Sequence, residues 1–209
     1  MSVDDHYLQP LLAPRSIALV GASERRGTAG EMVVRQLSEV GFPGEVYPVN
    51  PRYKEVLGQR CYASLSELPT EVDLAVLNIA AHRIEAAFNE ALELGTKAFV
   101  IFDPCMPEGD TSPTLVERLR ATAREAGVAI CGGNGMGYSN FDARCFVGMW
   151  VHPERPPRSV ALVETDPTYR KKPQLGYCKD SLVARGGIEP PTRGFSVRMG
   201  KGPNTTEDD

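Results

Sequence analysis

The sequence predicts an α/β fold, a Rossmann-like parallel sheet with helices on both faces, followed by a disordered C-terminal tail. Three observations predict it. Between residues 16 and 131, short apolar runs of strand length alternate with stretches whose apolar residues recur at helical spacing, the pattern of a parallel sheet covered on both sides. The first of these strands passes directly into a glycine-rich turn that opens a helix. Beyond residue 165 the periodicity stops and Lys, Arg, Gly, Pro, Thr and Asp dominate, a composition that cannot offset the entropy of ordering the chain.

The elements follow in order. Ser16-Ile17-Ala18-Leu19-Val20 is the first strand, ending at Gly21; a helix from about Thr28 to Val40 buries Met32, Val33, Leu37 and Val40, and Gly41 caps it. A short strand spans Glu45 to Val49, Leu65 to Leu68 forms a single helical turn before Pro69, and the sheet resumes from Asp73 to Ile79. His82 to Leu94 is amphipathic through Ile84, Phe88, Ala91 and Leu92, with Gly95 as its cap, and leads into the strand Ala98-Phe99-Val100-Ile101-Phe102. The next helix has Pro113 in its first turn and Leu115, Val116, Leu119 and Ala123 as its buried stripe; Gly127 ends it before the strand Val128 to Cys131. After the glycine-rich turn Gly132 to Gly137, Cys145 to Val151 adds a last strand at the sheet edge.

A boundary belongs in residues 152–158, rich in proline and charge. Beyond it, Ser159-Val160-Ala161-Leu162-Val163 reads as the first strand of another α/β domain that does not continue. The expected organisation is a Rossmann-like domain over residues 1–151, a linker and the first strand of a truncated second domain over 152–164, and a disordered tail over 165–209, read as non-native with a natural flexible tail as the alternative. Within that tail, ARGGIEPPTRGFSV resembles a peptide found in translations that run through transfer-RNA gene regions.

Composition excludes several classes of protein. The 209 residues suit one domain and part of another, and 42% hydrophobic with 24% charged residues is a globular balance. A net charge of -4 with mixed signs leaves no polybasic face for nucleic acid. The five cysteines, Cys61, Cys105, Cys131, Cys145 and Cys178, lack zinc-site spacing and read as reduced cytosolic thiols. The N-terminus lacks a secretory pattern and no apolar run approaches ~18 residues, so a soluble, cytoplasmic protein without a membrane anchor is expected.

The chemistry lies in Gly21-Ala22-Ser23-Glu24-Arg25-Arg26-Gly27-Thr28-Ala29-Gly30, a strand-to-helix turn in which free amides and about half a unit of positive charge at the helix N-terminus can hold a diphosphate. Gly21 makes the exit turn, Ser23 offers a hydroxyl, and Gly27 with Gly30 lets ligand and sheet approach the helix. The second strand ends Val49-Asn50-Pro51-Arg52-Tyr53-Lys54, without the carboxylate that an NAD site places there. Arg52 and Lys54 suit a phosphate on the ribose, the 3′-phosphate of coenzyme A (CoA) or the 2′-phosphate of NADP, or else are solvated surface cations.

LLAPRSIALVGAS, the later glycines, GFPGEVYPVNPRYKEVLG, CYASLSELP and VDLAVLNIAA resemble the CoA-binding domain of NDP-forming acyl-CoA synthetases, over roughly residues 10 to 163. The same domain is similar to the N-terminal part of the succinyl-CoA synthetase α subunit. The resemblance implies that CoA is the ligand, with Gly21, Ala22, Ser23, Gly27 and Gly30 around its phosphates. It places Val49, Asn50, Pro51 and Lys54 near the adenosine, Asn78, Ile79 and Ala80 along the pantetheine, and Asn134 in the turn after the fifth strand. Two departures bear on the thiol end: Gly132-Gly133-Asn134 replaces the Gly-Pro-Asn of relatives, and Phe102-Asp103-Pro104-Cys105 stands where small residues are common.

The family passes phosphate through a histidine of a second domain to a nucleotide in an ATP-grasp domain. None of His6, His82 and His152 lies in a matching context, so no catalytic residue is assigned. The cluster Asp103, Glu108 and Asp110, set among prolines and glycine, reads as a solvated loop and not as a metal site. The function implied is a CoA-binding module, a truncated synthetase inactive alone, with a partner chain supplying the second α/β and ATP-grasp domains. The rival reading is a small NADP-binding oxidoreductase, for which no hydride-transfer motif is found downstream.

Overall fold

Strands buried on both faces must be apolar along their whole length, and this requirement shapes the centre of the molecule. In a computed structural model, residues 7–149 and the backbones of residues 161–164, 181–183 and 196–198 are described. In chain order the main elements are α1 (Gln9–Leu12), β1 (Ser16–Val20), α2 (Ala29–Glu39), β2 (Glu45–Val49), a small hairpin of β3 (Glu55–Val56) and β4 (Gln59–Arg60), β5 (Leu74–Leu77), α3 (Ala81–Glu93), β6 (Ala98–Ile101), α4 (Leu115–Ala126) and β7 (Ala129–Cys131). A single 3-10 turn, Leu65–Glu67, stands where the short helix was expected.

The five strands β2-β1-β5-β6-β7 form one parallel sheet in that order, as the alternation predicted. Side chains alternate between its faces. Ile17, Leu19, Leu74, Val76 and Val100 meet Val33 and Leu37 of α2 together with Leu11 of α1. Ala18, Val20, Ala75, Leu77, Phe99 and Ile101 meet Ile84 and Phe88 of α3 and Leu115 and Leu119 of α4. The sheet is therefore covered on both sides, with β5 and β6 buried throughout.

Pro113 lies one residue before the N-cap of α4 and not in its first turn. Thr114 takes the cap because its hydroxyl accepts the Glu117 amide while the Glu117 carboxylate accepts the Thr114 amide. The helix ends at Gly127, which adopts φ +68, the left-handed turn expected of a terminal glycine.

The segment from Cys145 does not extend the sheet edge. The chain after Gly132 forms β8 (Gly137–Asn140), which pairs antiparallel with β9 (Cys145–Gly148) in a separate sheet ordered β10-β8-β9, where β10 is Ala161–Glu164. The Tyr138 hydroxyl donates to the Leu11 carbonyl, Asn140 Nδ2 donates to the Leu12 carbonyl at 2.9 Å, and Gln36 Nε2 of α2 donates to the Gly148 carbonyl at 3.3 Å. These bonds hold the second sheet against α1 and α2, away from the parallel edge. In the tail, β11 (Ser181–Val183) and β12 (Ser196–Arg198) pair antiparallel. The linker at 152–158 and the remainder of the tail reading lie outside the described residues.

On the opposite layer α3 and α4 are joined by Arg118, whose Nε and Nη2 each donate to one oxygen of Glu85 at 2.8 Å. The bidentate bond to Arg118 holds the Glu85 carboxyl below its ordinary value of 4.5, against a smaller opposing effect of burial. A carboxyl depressed in the folded state stabilises fully above the unfolded value and loses that contribution as pH falls through the folded value. Wild type is therefore expected to lose stability below pH 4.5 more steeply than Glu85→Gln. Denaturant midpoints measured between neutral and acid pH check this, and parallel curves for the two proteins would refute it.

Candidate functional site

In a doubly wound sheet, ligands bind beyond the carboxyl ends of the strands where the chain reverses its direction of winding. Here β2 lies on one side of β1 and β5 on the other, so the crevice is framed by residues 21–28, 50–54 and 78–80. All the predicted site residues except Asn134 fall on these loops, at the strand end Val49, or, for Gly30, in the first turn of α2.

Backbone proximity explains two of the glycines. Gly21 has φ +91 and donates its N–H to the Val49 carbonyl at 2.9 Å; a Cβ there would lie 2.1 Å from the Asn78 carbonyl oxygen. A Cβ on Gly30 would lie 2.3 Å from the Gly21 carbonyl oxygen, so the start of α2 is pressed onto the turn as the motif reading required. Gly27 differs. No atom lies within 4 Å of its Cβ position, and its φ of +77 is what requires glycine.

Two asparagines tie the loops together. Asn50 Nδ2 donates to the Ala22 carbonyl at 2.7 Å while Asn50 Oδ1 accepts the Arg52 amide at 3.0 Å. Asn78 Nδ2 reaches the Gly21 carbonyl at 3.4 Å. Ser23 Oγ accepts the Arg25 amide at 3.0 Å, and its own hydroxyl proton is directed to none of the described residues. Thr28 is the N-cap of α2 and accepts the Glu31 amide at 3.3 Å; the amides of Ala29 and Gly30 have no acceptor among the described residues. Arg25, Arg26, Arg52 and Lys54 are exposed and form no ion pair among the described residues. Pro51 is exposed at the second loop, Ile79 packs on the core face lined by α3, and Ala80 is the N-cap of α3 without a side-chain cap bond.

Glu31 was not singled out from the sequence, although Thr28-x-x-Glu31 is the pattern of a capping box. The residue is 4% exposed, with Oε2 accepting the Gly27 amide at 3.2 Å and Oε1 accepting Arg35 Nε at 2.9 Å. Burial pushes its carboxyl up, but the bond from Arg35, the Gly27 amide and the charges of Arg35 and Arg26 outweigh it and hold the value below normal.

The two departures from the family pattern, in the loops after β6 and β7, prove to be one packing event. Cys105, buried with φ +57, donates its amide to Asp103 Oδ1 at 2.8 Å. A Cβ on Gly133 would lie 2.9 Å from Cys105 Sγ and 3.0 Å from the Asp103 carbonyl oxygen. Cys105 thus fills the room that any larger residue at 133 would need. The Asn134 amide donates to the Asp103 carbonyl at 2.8 Å, joining the loops after β6 and β7. Burial, with Asp103 and Asp110 adding to it, pushes the Cys105 thiol up to about 12, so it stays protonated and is no nucleophile at neutral pH.

Asp110 is occupied structurally, accepting the Leu115 amide at 2.8 Å and Arg118 Nη1 at 3.3 Å. Among the described residues no group of three or more His, Cys, Asp or Glu could hold a metal, and no helix is long and apolar enough to cross a membrane. His82 is exposed in the first turn of α3; His6 and His152 lie outside the described residues.

A parallel sheet wound in this order, with a glycine-rich strand-to-helix turn at its switch point, defines a Rossmann-like domain. Residues 15–140 match the CoA binding domain family, and the chain belongs to that family. It is 28% identical over 196 residues to an ADP-forming acetate–CoA ligase II of Archaeoglobus fulgidus, covering 93% of this chain and 28% of the relative. It is 33% identical to the α subunit of an ADP-forming acetate–CoA ligase I of Pyrococcus furiosus, covering 61% of this chain and 29% of that subunit. Among solved structures it is similar to a dinucleotide-forming acetyl-coenzyme A synthetase 1 of Ca. Korarchaeum cryptofilum in complex with phosphate and ADP, with a TM-score of 0.62, 32% identity, and coverage of 68% of this chain and 30% of that one. The chain spans less than a third of the length of these relatives.

Proposed function

We propose that the chain is a CoA-binding module of the NDP-forming acyl-CoA synthetase type, which binds CoA across the crevice between β1 and β5 and turns nothing over alone. Asn50 and Asn78 carry this reading. They bind the three loops into one cradle, so the phosphate turn meets its ligand already ordered. Ser23, Ala29 and Gly30 offer hydrogen-bond donors to the diphosphate, while Arg52 and Lys54 stand beside the second loop for the 3′-phosphate. Val49 and Pro51 flank the adenosine, Ile79 and Ala80 the pantetheine, and Asn134 the thiol end. Acid–CoA ligation then requires a second α/β domain and an ATP-grasp unit from a partner chain, an arrangement supported by the α-subunit relative.

Calorimetric titration of the full chain with CoA, dephospho-CoA and NADPH tests the reading. CoA is expected to bind, dephospho-CoA about tenfold more weakly for want of the charged contacts to its missing phosphate, and NADPH not at all. Lys54→Ala should narrow the gap between the first two ligands. Saturable NADPH binding with CoA silent would transfer the site to the oxidoreductase reading. Formation of acyl-CoA from acid, CoA and ATP by the chain alone would remove the need for a partner.

A further inference from the structure

The turn between β1 and α2 is closed by bonds internal to itself, and one of them comes from a buried charge. Thr28 N and Oγ1 both donate to the Arg25 carbonyl, at 3.3 and 2.8 Å. Ser23 Oγ holds the Arg25 amide. These contacts close the turn from within, but none of them holds the Gly27 amide, and glycine explores both halves of backbone space. Glu31 removes that freedom. Its carboxylate reaches past the N-cap amide, the partner in an ordinary capping box, to the amide of Gly27 one residue earlier.

A carboxylate close to a phosphate-binding turn is costly unless its charge is balanced. Arg35, one helical turn on, supplies the balance at 2.9 Å and is itself steadied by Glu39 at 3.4 Å. The carboxylate is thus held between a cation and an amide, both of which favour its charged form. A charge-assisted bond to a backbone amide is stronger than the neutral bonds around it. It draws the Gly27 N–H inward and leaves the Ala29 and Gly30 amides, the Ser23 hydroxyl and the Arg25 and Arg26 side chains for an incoming anion.

We propose that Glu31 is a positioning residue for CoA, its buried carboxylate clamping the Gly27 amide so that the phosphate turn is held in its binding shape before ligand arrives. This rests on the CoA-binding reading and deepens it by naming a residue that touches no ligand yet sets the affinity for the diphosphate. The effect falls on the diphosphate and not on the 3′-phosphate, which the second loop serves.

The test compares wild type with Glu31→Ala and Glu31→Gln by titration with CoA and dephospho-CoA, and by amide exchange of ligand-free protein. Glu31→Ala is expected to weaken both ligands equally, by about tenfold, and to speed exchange of the Gly27 amide while the amides in the middle of α2 stay protected. Glu31→Gln, which retains an acceptor, should recover most of the affinity. Glu31→Leu fills the same volume without an acceptor and replaces the Ala variant if that one fails to fold. A folded variant lacking the acceptor that binds CoA as wild type does, or that leaves Gly27 exchange unmoved, overturns the inference and leaves the CoA reading standing. A folded wild type that does not bind CoA brings down both.

Discussion

Gly21→Val is expected to destabilise the folded chain by about 3–5 kcal/mol and to abolish CoA binding in whatever fraction stays folded. The reason is geometric. A β-branched residue cannot adopt φ +91 without strain, and its Cβ would stand 2.1 Å from the Asn78 carbonyl oxygen. The opposing atom is backbone, so no rotamer change relieves the contact; β1 and β5 would have to part at their carboxyl ends. That movement breaks the Asn78 amide bond to the Val20 carbonyl and the Asn78 side-chain contact to Gly21, the second of which is one of the two bonds of the cradle. Denaturant midpoints with the slope held in common measure the loss, and calorimetry of the remaining folded protein measures binding. A variant with the wild-type midpoint would show that the close approach of Gly21 to Asn78 is not needed.

Phe99→Ala should cost a similar amount, about 3–5 kcal/mol, by a different route. Phe99 lies in the middle of β6, is fully buried, and its ring centroid stands 4.3 Å from that of Phe88 on α3. Removing the ring loses both transfer energy and its contacts, and a five-stranded sheet hydrogen-bonded on both sides of β6 cannot collapse to refill the space. Because ordinary domains are stable by only ~5–15 kcal/mol, either substitution removes a large share of the total. The two separate at the site. Well below its transition, Phe99→Ala should bind CoA within about threefold of wild type, since sites without shared partners act independently. Loss of binding by folded Phe99→Ala would show that the sheet interior and the crevice are coupled.

The parallel sheet was legible because its requirement is severe. Strands such as Leu74–Leu77 and Ala98–Ile101 are buried on both faces, so their apolar runs are unbroken and stand out in any reading. The glycine turn was legible through its position after the first strand. Asn50 and Asn78 were placed by resemblance, and the geometry then supplied what they do. The strand Gly137–Asn140 was missed because Gly-Tyr-Ser-Asn has no apolar alternation; it forms because Tyr138 and Asn140 find carbonyls of α1 more than a hundred residues earlier. Pro113 was placed inside the first turn of its helix, although it stands one residue before the cap, because the cap, Thr114 with Glu117, is decided by hydrogen bonds and not by proline.

The sequence by itself determined the class of fold and the glycine-rich turn that leads from the first strand into the first long helix, since these follow from periodicities and turn chemistry that act between near neighbours. Only the tertiary structure decided how the residues of the candidate site work together. The fit of Gly21 against Asn78, the bond from Asn50 to Ala22, the room at Gly133 taken by Cys105, and the antiparallel sheet resting on α2 all join segments far apart in the chain. Such contacts depend on distances of a few tenths of an ångström between packed elements, which no local pattern of residues encodes.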